Sequence, residues 1–312
     1  MSETADYTNA GHYSKALHVV ACVTFVTALL PIAFGAQTTT EGAGMAFPDY
    51  PTSDGEGMLE YNLFEATRAQ FLEHGHRLAG MLVGVAALTL CGAGLILGEG
   101  KLVKGLCVGA LLAVIAQGLL GGVRVLRENT DLAALHGFTA SLTLALIGMT
   151  AVVTSRRWQT QAGTTGPLTW TKRLGVAAAV LVAGQYLLGG QMRHFGYSWA
   201  QTGHLHLSFW AFAATVAAGV AAIRSGSPWV RKAGVAVHAV VTAQMLLGFA
   251  TWAQKYGVAF AGYVAQPLEP ATLYLRSAHM IVGAVLVAAI ATLLARTWRA
   301  AGTLGEQGTS VP

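Results

Sequence analysis

Residues 71–98 read FLEHGHRLAGMLVGVAALTLCGAGLILG, which is apolar along most of its length but begins with ionisable side chains. A run of about 20 apolar residues is long enough to cross the hydrocarbon core of a bilayer as a helix. Charged side chains and imidazoles inside such a helix are costly, and they usually face the interior of a helix bundle. The cluster of Glu73, His74, His76 and Arg77 therefore predicts a functional site on a membrane-spanning helix.

The whole chain has the composition of a membrane protein. Of its 312 residues, 54% are hydrophobic and 11% are charged, against roughly 25% charged residues in soluble domains. Besides residues 72–98, seven segments are apolar enough to span a bilayer: 16–35, 101–123, 132–154, 171–191, 203–223, 230–252 and 273–295. We predict an all-α integral membrane protein with eight transmembrane helices. Its basic residues lie between apolar runs, so the lipid bilayer is an expected partner and nucleic acid is not.

Lysine and arginine are distributed unevenly between the two sets of loops. If the N-terminus is cytoplasmic, the inner segments carry twelve of the 19 and the outer segments carry the other seven. Positive residues favour the cytoplasmic side of a membrane. Both termini are therefore predicted to be cytoplasmic, in a bacterial cell (inner) membrane.

Internal repeats divide the chain into two halves. Three odd-numbered spans end with similar words, QGLLGG at 117–122, QYLLGG at 185–190 and QMLLGF at 244–249, and the first span carries a weaker form, TALLPI at 27–32. The even-numbered spans each begin with a histidine: His76, His136, His206 (with His204 nearby) and His279. Such repetition indicates duplication. We predict two tandem four-helix bundles in the same orientation, residues 1–160 and 161–312.

Four histidines at matched depth indicate a shared kind of ligand, although any one of them alone would more simply be an interfacial polar residue. Within each half, two histidines face one four-helix interior, which suits two axial imidazole ligands of a haem iron. A zinc or copper ion would usually need a thiolate, a third histidine or carboxylates as well. Haem brings four nitrogens of its own and needs only two more. The predicted pairs are His76 with His136 and His206 with His279.

His204 is the alternative to His206. Its spacing from Gln185 matches the spacing from Gln117 to His136, whereas a preceding leucine, shared with His136, favours His206. We prefer His206. His74 is rotated about 200° from His76 on the helix and is not expected to be a ligand. The remaining histidines have no matched partner and are expected to be structural or surface residues: His12, His18, His194 and His238.

The halves differ one turn before a predicted ligand. Glu73 precedes His76 by three residues and so lies on the same helix face, whereas Arg276 precedes His279. One interpretation of Glu73 is a salt bridge to Arg77. The other is an active-site base, or a stabiliser of a cation that develops on a substrate. Several outer arginines are placed to meet haem propionates or lipid headgroups: Arg77, Arg124, Arg127, Arg193 and Arg276.

These residues resemble the haem A synthases, membrane proteins of cytochrome oxidase assembly. The resemblance rests on the E-x-x-H-R motif at 73–77, on the histidines that open helices four, six and eight, and on the outer loop GMAFPDYPTSDGEG at 44–57. That loop is similar to the family's G-x-x-x-P-D-W-P signature, with Tyr50 in place of tryptophan. Some members carry a cysteine pair in this loop. Residues 36–70 contain no cysteine, which excludes a mechanism that uses those thiols.

The resemblance implies an oxidoreductase that oxidises the C8 methyl group of haem O to a formyl group by successive hydroxylations, with water as the oxygen source. His76 and His136 would hold the substrate haem, and His206 and His279 would ligate a permanent haem b. Glu73 would be the catalytic carboxylate. The predicted topology places the four histidines, and so the haem sites, toward the outer face. The resemblance further implies haem O synthase as a partner and a quinone or another electron acceptor.

Two other functions remain open. A di-haem cytochrome b that relays electrons, linked to quinol, would use the same histidines, but such subunits commonly place their haems on opposite sides of the bilayer. A transporter would explain the duplication but not the matched histidines.

Three aromatic residues of the outer loops are expected to be interfacial anchors rather than lids: Tyr50, Trp252 and Tyr263.

Overall fold

The computed structural model describes residues 13–161, 168–258 and 270–305. Within these ranges the chain forms nine helices: α1 (Lys15–Thr40), α2 (Arg68–Leu97), α3 (Gly100–Leu126), α4 (Thr130–Val153), α5 (Arg156–Thr160), α6 (Thr169–Phe195), α7 (Ser198–Ile223), α8 (Pro228–Tyr256) and α9 (Pro270–Gly305). All except α5 are long and apolar enough to cross a membrane, so the predicted all-α, multi-pass membrane fold is confirmed. Both chain termini, His12 and Tyr263 lie outside the described residues.

Several helices extend beyond the apolar segments that predicted them. Helix α1 continues to Thr40 rather than 35, α6 to Phe195 rather than 191, and α7 begins at Ser198 rather than 203. Hydropathy reports the thickness of the hydrocarbon layer, whereas backbone hydrogen bonds carry a helix on through polar residues. The short helix α5, between the two predicted halves, was not predicted. These extensions lengthen the helices at the end where α1 is joined to α2.

We call this end of the molecule the loop end, because the long segment 41–67 connects α1 to α2 there. Local sequence determines where the next helix starts. Thr67 and Gln70 form a capping box at the start of α2, with the amide of Thr67 donating to Gln70 Oε1 at 3.0 Å, and Asn129 caps α4 by accepting from the amide of Leu132 at 2.8 Å. Capping side chains satisfy amides that have no partner inside the helix. The caps place His76 and His136 within the first three turns of their helices.

Helices α1–α4, the N-terminal bundle, pack in a ring in which each helix contacts the next and α4 returns to α1. Helices α6–α9, the C-terminal bundle, form the same kind of ring. Each bundle has its own apolar core, and α9 contributes to both, with Ala284 and Ala288 in one and Leu286 and Ile290 in the other. Helix α9 is therefore the main structural link between the bundles.

Small residues and threonines form the closest contacts between helices. Ala21, Ala28 and Ala36 of α1 are buried, and Thr38 Oγ1 donates to the carbonyl of Leu72 on α2 at 3.2 Å. Small side chains allow backbones to approach closely in a membrane, where hydrogen bonds between helices replace part of the missing hydrophobic driving force. This contact holds α1 against the turns of α2 that carry Glu73 and His76.

Candidate functional site

Two pairs of histidines face each other between helices. The ring centroids of His76 on α2 and His136 on α4 are 6.1 Å apart, and those of His204 on α7 and His279 on α9 are 6.2 Å apart. Two imidazoles bound to opposite sides of one metal, each at about 2.0–2.1 Å, have ring centres roughly 6 Å apart. Both pairs therefore have a separation that suits two axial ligands of one iron.

The structure corrects the predicted pairing in the C-terminal bundle. His206 is exposed on α7, whereas His204 is half-buried and faces His279. Two residues along a helix turn the side chain by about 200°, so only one of these histidines can face the partner. Gln185 explains the spacing that favoured His204, because its carbonyl lies 3.0 Å from His204 Nδ1 and its Nε2 donates to the His204 carbonyl at 2.7 Å.

A glycine on a neighbouring helix lies against each of the four rings. A Cβ atom at these positions would lie only 3.0–3.2 Å from the Cε1 atom of the facing imidazole. The four contacts are Gly35 with His76 (3.0 Å), Gly121 with His136 (3.2 Å), Gly189 with His204 (3.2 Å) and Gly248 with His279 (3.0 Å). A side chain at these positions would therefore oblige the imidazole to move by a few tenths of an ångström.

This contact also corrects the repeat in the first helix. Gly121, Gly189 and Gly248 each stand four residues after a glutamine, and Gly35 stands four residues after Pro31. The equivalent stretch of α1 is therefore PIAFG at 31–35 and not TALLPI at 27–32. The sequence alignment was one helical turn off because the leucine pair of α1, Leu29 and Leu30, lies before Pro31, whereas in the other three copies it lies between the glutamine and the glycine.

Hydrogen bonds hold one ring nitrogen of a histidine in each pair. Nδ1 of His76 lies 2.8 Å from the carbonyl of Pro31, and Nδ1 of His204 lies 3.0 Å from the carbonyl of Gln185. A carbonyl accepts only, so Nδ1 carries the proton in both rings and Nε2 presents a lone pair. Histidines that bind metals are commonly held in this way by a carbonyl on the other nitrogen.

The C-terminal pair lies among polar atoms that have no hydrogen-bond partner within the described residues. These atoms are buried: Gln185 Oε1, Gln244 Oε1 and His279 Nδ1. The Nε2 atoms of His279 and Gln244 lie 3.4 Å apart. Leaving buried polar atoms unpaired costs free energy. These residues therefore fit a site that is completed by a bound polar group or metal.

A cavity of about 840 Å³ lies in the N-terminal bundle, and both His76 and His136 line it. Its volume is within the usual range for cofactor and small-molecule sites. Tyr186 and His194 of α6 and Met280 of α9 also line the cavity, so the C-terminal bundle supplies part of its wall. His194 was expected to be a structural or surface residue, and the structure corrects that expectation.

Glu73 lines the same cavity but is only 1% exposed. Its Oε1 accepts from Arg77 Nη2 at 2.7 Å, and its Oε2 accepts from the amides of Ala46 at 2.6 Å and Phe47 at 3.3 Å. The salt bridge to Arg77 is thus present, and the carboxylate also holds the loop between α1 and α2. Each oxygen already has a partner that donates to it.

Arg77 fastens the same loop from the other side. Its Nη1 donates to the carbonyls of Asp49 at 2.9 Å and Thr52 at 2.6 Å, and its guanidinium lies 5.2 Å from the ring centre of Phe47. The side chain is buried with Glu73. Its hydrogen bonds within the described residues go to the loop and to Glu73, so Arg77 anchors the loop rather than pointing freely at a ligand.

His74 is a third anchor of the loop. It is fully buried, with Nδ1 2.9 Å from Ser53 Oγ and Nε2 3.1 Å from the carbonyl of Met58. Its ring also lies 4.8 Å from the ring of Tyr61. Both ring nitrogens are used by the loop, in agreement with the expectation that His74 is not a metal ligand.

The loop has an internal turn centred on Asp49. Burial raises the pKa of the Asp49 carboxyl. Hydrogen bonds from Thr52 Oγ1 and from the amides of Gly55 and Asp54 lower the pKa by more than burial raises it, so the net pKa lies below its usual value. A lowered pKa means that this turn is most stable when Asp49 is ionised and weakens as the pH falls through that pKa.

Tyr50 lies within this turn, directly after Asp49, at the wall of the cavity. Its hydroxyl donates to the carbonyl of Gly118 on α3 at 3.3 Å, and its ring lies so close to Gly122 that a Cβ there would clash with it. Tyr50 also lines the cavity. Tyr50 is therefore part of the cavity wall, packed against α3, and its role as an interfacial anchor stays a prediction. Trp252 is 38% exposed and stacks on Phe249, and its role as an anchor stays a prediction.

Of the five outer arginines, two line the cavity, Arg77 and Arg124. Arg124 donates through Nη1 to the carbonyl of Gly44 at 2.7 Å, and its Nη2 and Nε have no partner within the described residues. Arg193 instead donates to α1, at the carbonyl of Ala36 (2.6 Å) and Thr40 Oγ1 (2.5 Å). Arg127 is exposed and Arg276 is half-buried, and neither lines the cavity.

Within the described residues, no group of three or more His, Cys, Asp or Glu side chains is placed to hold a metal ion. Each histidine pair would therefore need a metal that brings its other ligands. Haem does so, because its macrocycle supplies four nitrogens. The separation of the rings suits two axial ligands, and the shortage of further ligands favours a haem over a bare ion.

No family model matches the chain. Among curated proteins, the chain is similar to heme A synthase from Symbiobacterium thermophilum, with 29% identity over 199 residues. The match covers 61% of this chain and 63% of that protein, so it spans less than two thirds of the relative's length. This distant similarity supports the resemblance found in the sequence motifs.

Proposed function

We propose that the protein is an oxidoreductase of haem A biosynthesis that converts haem O to haem A. The observation that carries this proposal is the pair His76 and His136, which has the separation of two axial haem ligands and lines a cavity of about 840 Å³ under a fastened loop. The similarity to a protein named heme A synthase supports it at the level of the family.

Each bundle would hold one haem. His76 and His136 would hold the substrate haem O in the N-terminal half, residues 1–160, and His204 and His279 would hold haem b in the C-terminal half, residues 161–312. The glycines against the four rings leave space for the imidazoles to stand between helices. Haem b, when bound, supplies one-electron redox chemistry that a polypeptide side chain does not provide.

The reaction removes electrons and adds oxygen from water. Conversion of a methyl group and one water to a formyl group releases four electrons and four protons. We infer that the electrons pass to a quinone or a similar acceptor, and that a haem O synthase delivers the substrate. By charge distribution the loop end faces the outside of a bacterial inner membrane.

In this reaction, Glu73 acts as an electrostatic stabiliser. Its hydrogen bonds to Arg77 and to the amide of Ala46 fix the position of the carboxylate. A negative charge held in this way can stabilise positive charge that develops on the reacting group. The loop that Glu73 holds, which includes Tyr50, lies over the cavity. It limits the access of water to the bound macrocycle.

A di-haem cytochrome b that relays electrons to or from quinol is the second candidate. The near-identical separation of the two histidine pairs favours it, because a relay needs two similar sites. At the N-terminal pair lie a cavity of about 840 Å³ and a loop held by Glu73 and Arg77, and a relay needs neither of them. Both favour a site that admits and releases a substrate at this pair.

Pigment analysis separates the two candidates. We expect that the protein, co-produced with a source of haem O, yields extractable haem A together with haem b, identified by mass. Unchanged haem O together with two tightly held b haems per chain would overturn the enzymatic proposal and support the relay. A variant that removes His136 should retain haem b and give no haem A.

The glycine contacts give a separate prediction. Gly35→Ala is expected to weaken haem binding at the N-terminal site about tenfold, because the new Cβ would lie 3.0 Å from His76 Cε1 and displace the ring. Gly105→Ala on α3 is the matched control, since a Cβ there meets nothing within 4 Å. Haem titration followed by absorbance measures both. Equal affinities for the two variants would contradict a requirement for glycine at residue 35.

A further inference from the structure

We propose that Arg124 and His194 form a carboxylate-binding subsite in the wall of the N-terminal cavity, and that it holds the carboxylate side chains of the bound macrocycle. This inference rests on the proposed function, because that function makes the ligand a haem with two propionates. It assigns a role to a histidine of the C-terminal bundle in the site of the N-terminal bundle.

The position of His194 carries the first step. It lies in the last turn of α6, one residue before the end of the helix at Phe195, and it lines the cavity with Tyr186 of the same helix. Gly196 ends the helix with a left-handed conformation at φ 69°, and its amide donates to the carbonyl of Met192 at 3.1 Å. This short turn fixes the end of α6 next to the cavity.

Hydrogen-bond donors without a partner are the second observation that supports the subsite. Neither ring nitrogen of His194 has a hydrogen-bond partner within the described residues. Arg124 donates through Nη1 to the carbonyl of Gly44, so Nη2 and Nε can donate to a ligand. Gly44 leaves room for this guanidinium, since a Cβ there would lie 3.1 Å from Nη1. Arginine donors in a fixed fork suit carboxylates, and an imidazole N–H adds a further donor.

The balance of charge carries the third step. Arg124 and His194 are close enough to interact electrostatically, and Arg193 adds a positive charge near His194. Two carboxylates line the cavity, Glu73 and Glu128. Glu73 is bonded to Arg77 and to two loop amides, and Glu128 is exposed. This part of the wall therefore has donors and positive charge that an anionic group on the ligand would satisfy.

Helix α6 then contacts both proposed haem sites. Its Gln185 carbonyl lies 3.0 Å from Nδ1 of His204 in the C-terminal pair, while His194 lines the N-terminal cavity. A ligand that binds His194 would thus contact the helix that orients His204.

The donors of Arg124 and His194 also give the subsite an expected specificity. It should prefer a macrocycle with free carboxylates to the same macrocycle with esterified ones.

The test uses the purified full-length protein in detergent and two probes, ferric protohaem and its dimethyl ester, titrated and followed by absorbance. The wild type should bind the free acid more tightly than the ester. His194→Leu and Arg124→Gln should each weaken binding of the free acid about tenfold, the loss of one or two charge-assisted hydrogen bonds, and change ester binding by less than twofold. His194→Gln, which keeps a donor, should retain most of the preference for the free acid.

Arg127→Gln is the matched control, because Arg127 is an exposed arginine of the same helix end that does not line the cavity. It should bind both probes like the wild type. Unchanged ester binding in His194→Leu reports that the variant is folded. The inference would be overturned if His194→Leu and Arg124→Gln both kept the wild-type ratio of acid to ester affinity.

His76→Ala separates this inference from the proposed function. The difference between the wild type and His76→Ala isolates the binding at the N-terminal site. If His76→Ala changes the binding of neither probe, the proposed haem site fails. If it removes the N-terminal part of the binding of both probes while His194→Leu and Arg124→Gln keep the wild-type ratio, the haem site stands and the carboxylate subsite fails.

Discussion

Replacing His76 with alanine is expected to abolish haem A formation, with a loss of more than about a hundredfold, while haem b stays bound to the C-terminal bundle. The reason is geometric. His76 is one of two rings 6.1 Å apart, and its Nδ1 is held by the Pro31 carbonyl so that Nε2 is free to bind iron. Without this ring the iron keeps one protein ligand, His136, and the hold on the macrocycle is weakened. Pigment extraction with mass analysis measures the product and the retained haem b together.

His204→Ala is the matched variant in the other bundle. It should remove the haem b absorption and leave the binding of added haem at the N-terminal site, because the two pairs share no residue. His206→Gln is the control, since His206 is exposed only two residues away on α7. Loss of haem b in His206→Gln and not in His204→Ala would show that the corrected pairing is wrong. His279→Ala should behave like His204→Ala.

The second large effect is expected for Arg77→Ala, which should lower the free energy of unfolding by about 3–5 kcal/mol. The substitution leaves Glu73 buried without its ion-pair partner and removes the donors to the carbonyls of Asp49 and Thr52. A buried charge that loses its partner is costly because neither water nor another group replaces it. The segment 41–67 should then detach from the bundle and be cleaved faster by added protease.

Arg68→Ala is the control for this effect. Arg68 pairs with Glu41 at 2.6 Å, but its side chain is 58% exposed, and an exposed pair contributes little to stability. Thermal unfolding in detergent and limited proteolysis compare the two variants. If Arg77→Ala unfolds at the same temperature as Arg68→Ala and its loop is no more sensitive to protease, then Arg77 is not an anchor of the loop.

The ionisable cluster at 73–77 shows how much of the candidate site can be predicted from local sequence. Spacing placed Glu73, His76 and Arg77 on one helix, and composition predicted that they would face inward. It did not show that Arg77, Glu73 and His74 share the task of holding the loop 41–67. Those bonds join residues 15 to 30 positions apart along the chain, and they depend on the path of a loop with no repeating pattern.

The sequence by itself determined the features that repeat along one helix: eight apolar spans, the duplicated glutamine and glycine words, and a histidine at matched depth in alternate spans. Hydropathy and helical period act locally, so they can be read from neighbouring residues. Only the tertiary structure decided that His204 rather than His206 faces His279, that Pro31 and Gly35 form the fourth copy of the glycine contact, and that His194 enters the cavity of the other bundle. Each of these depends on how two helices are rotated and shifted against each other, and that follows from packing between distant parts of the chain.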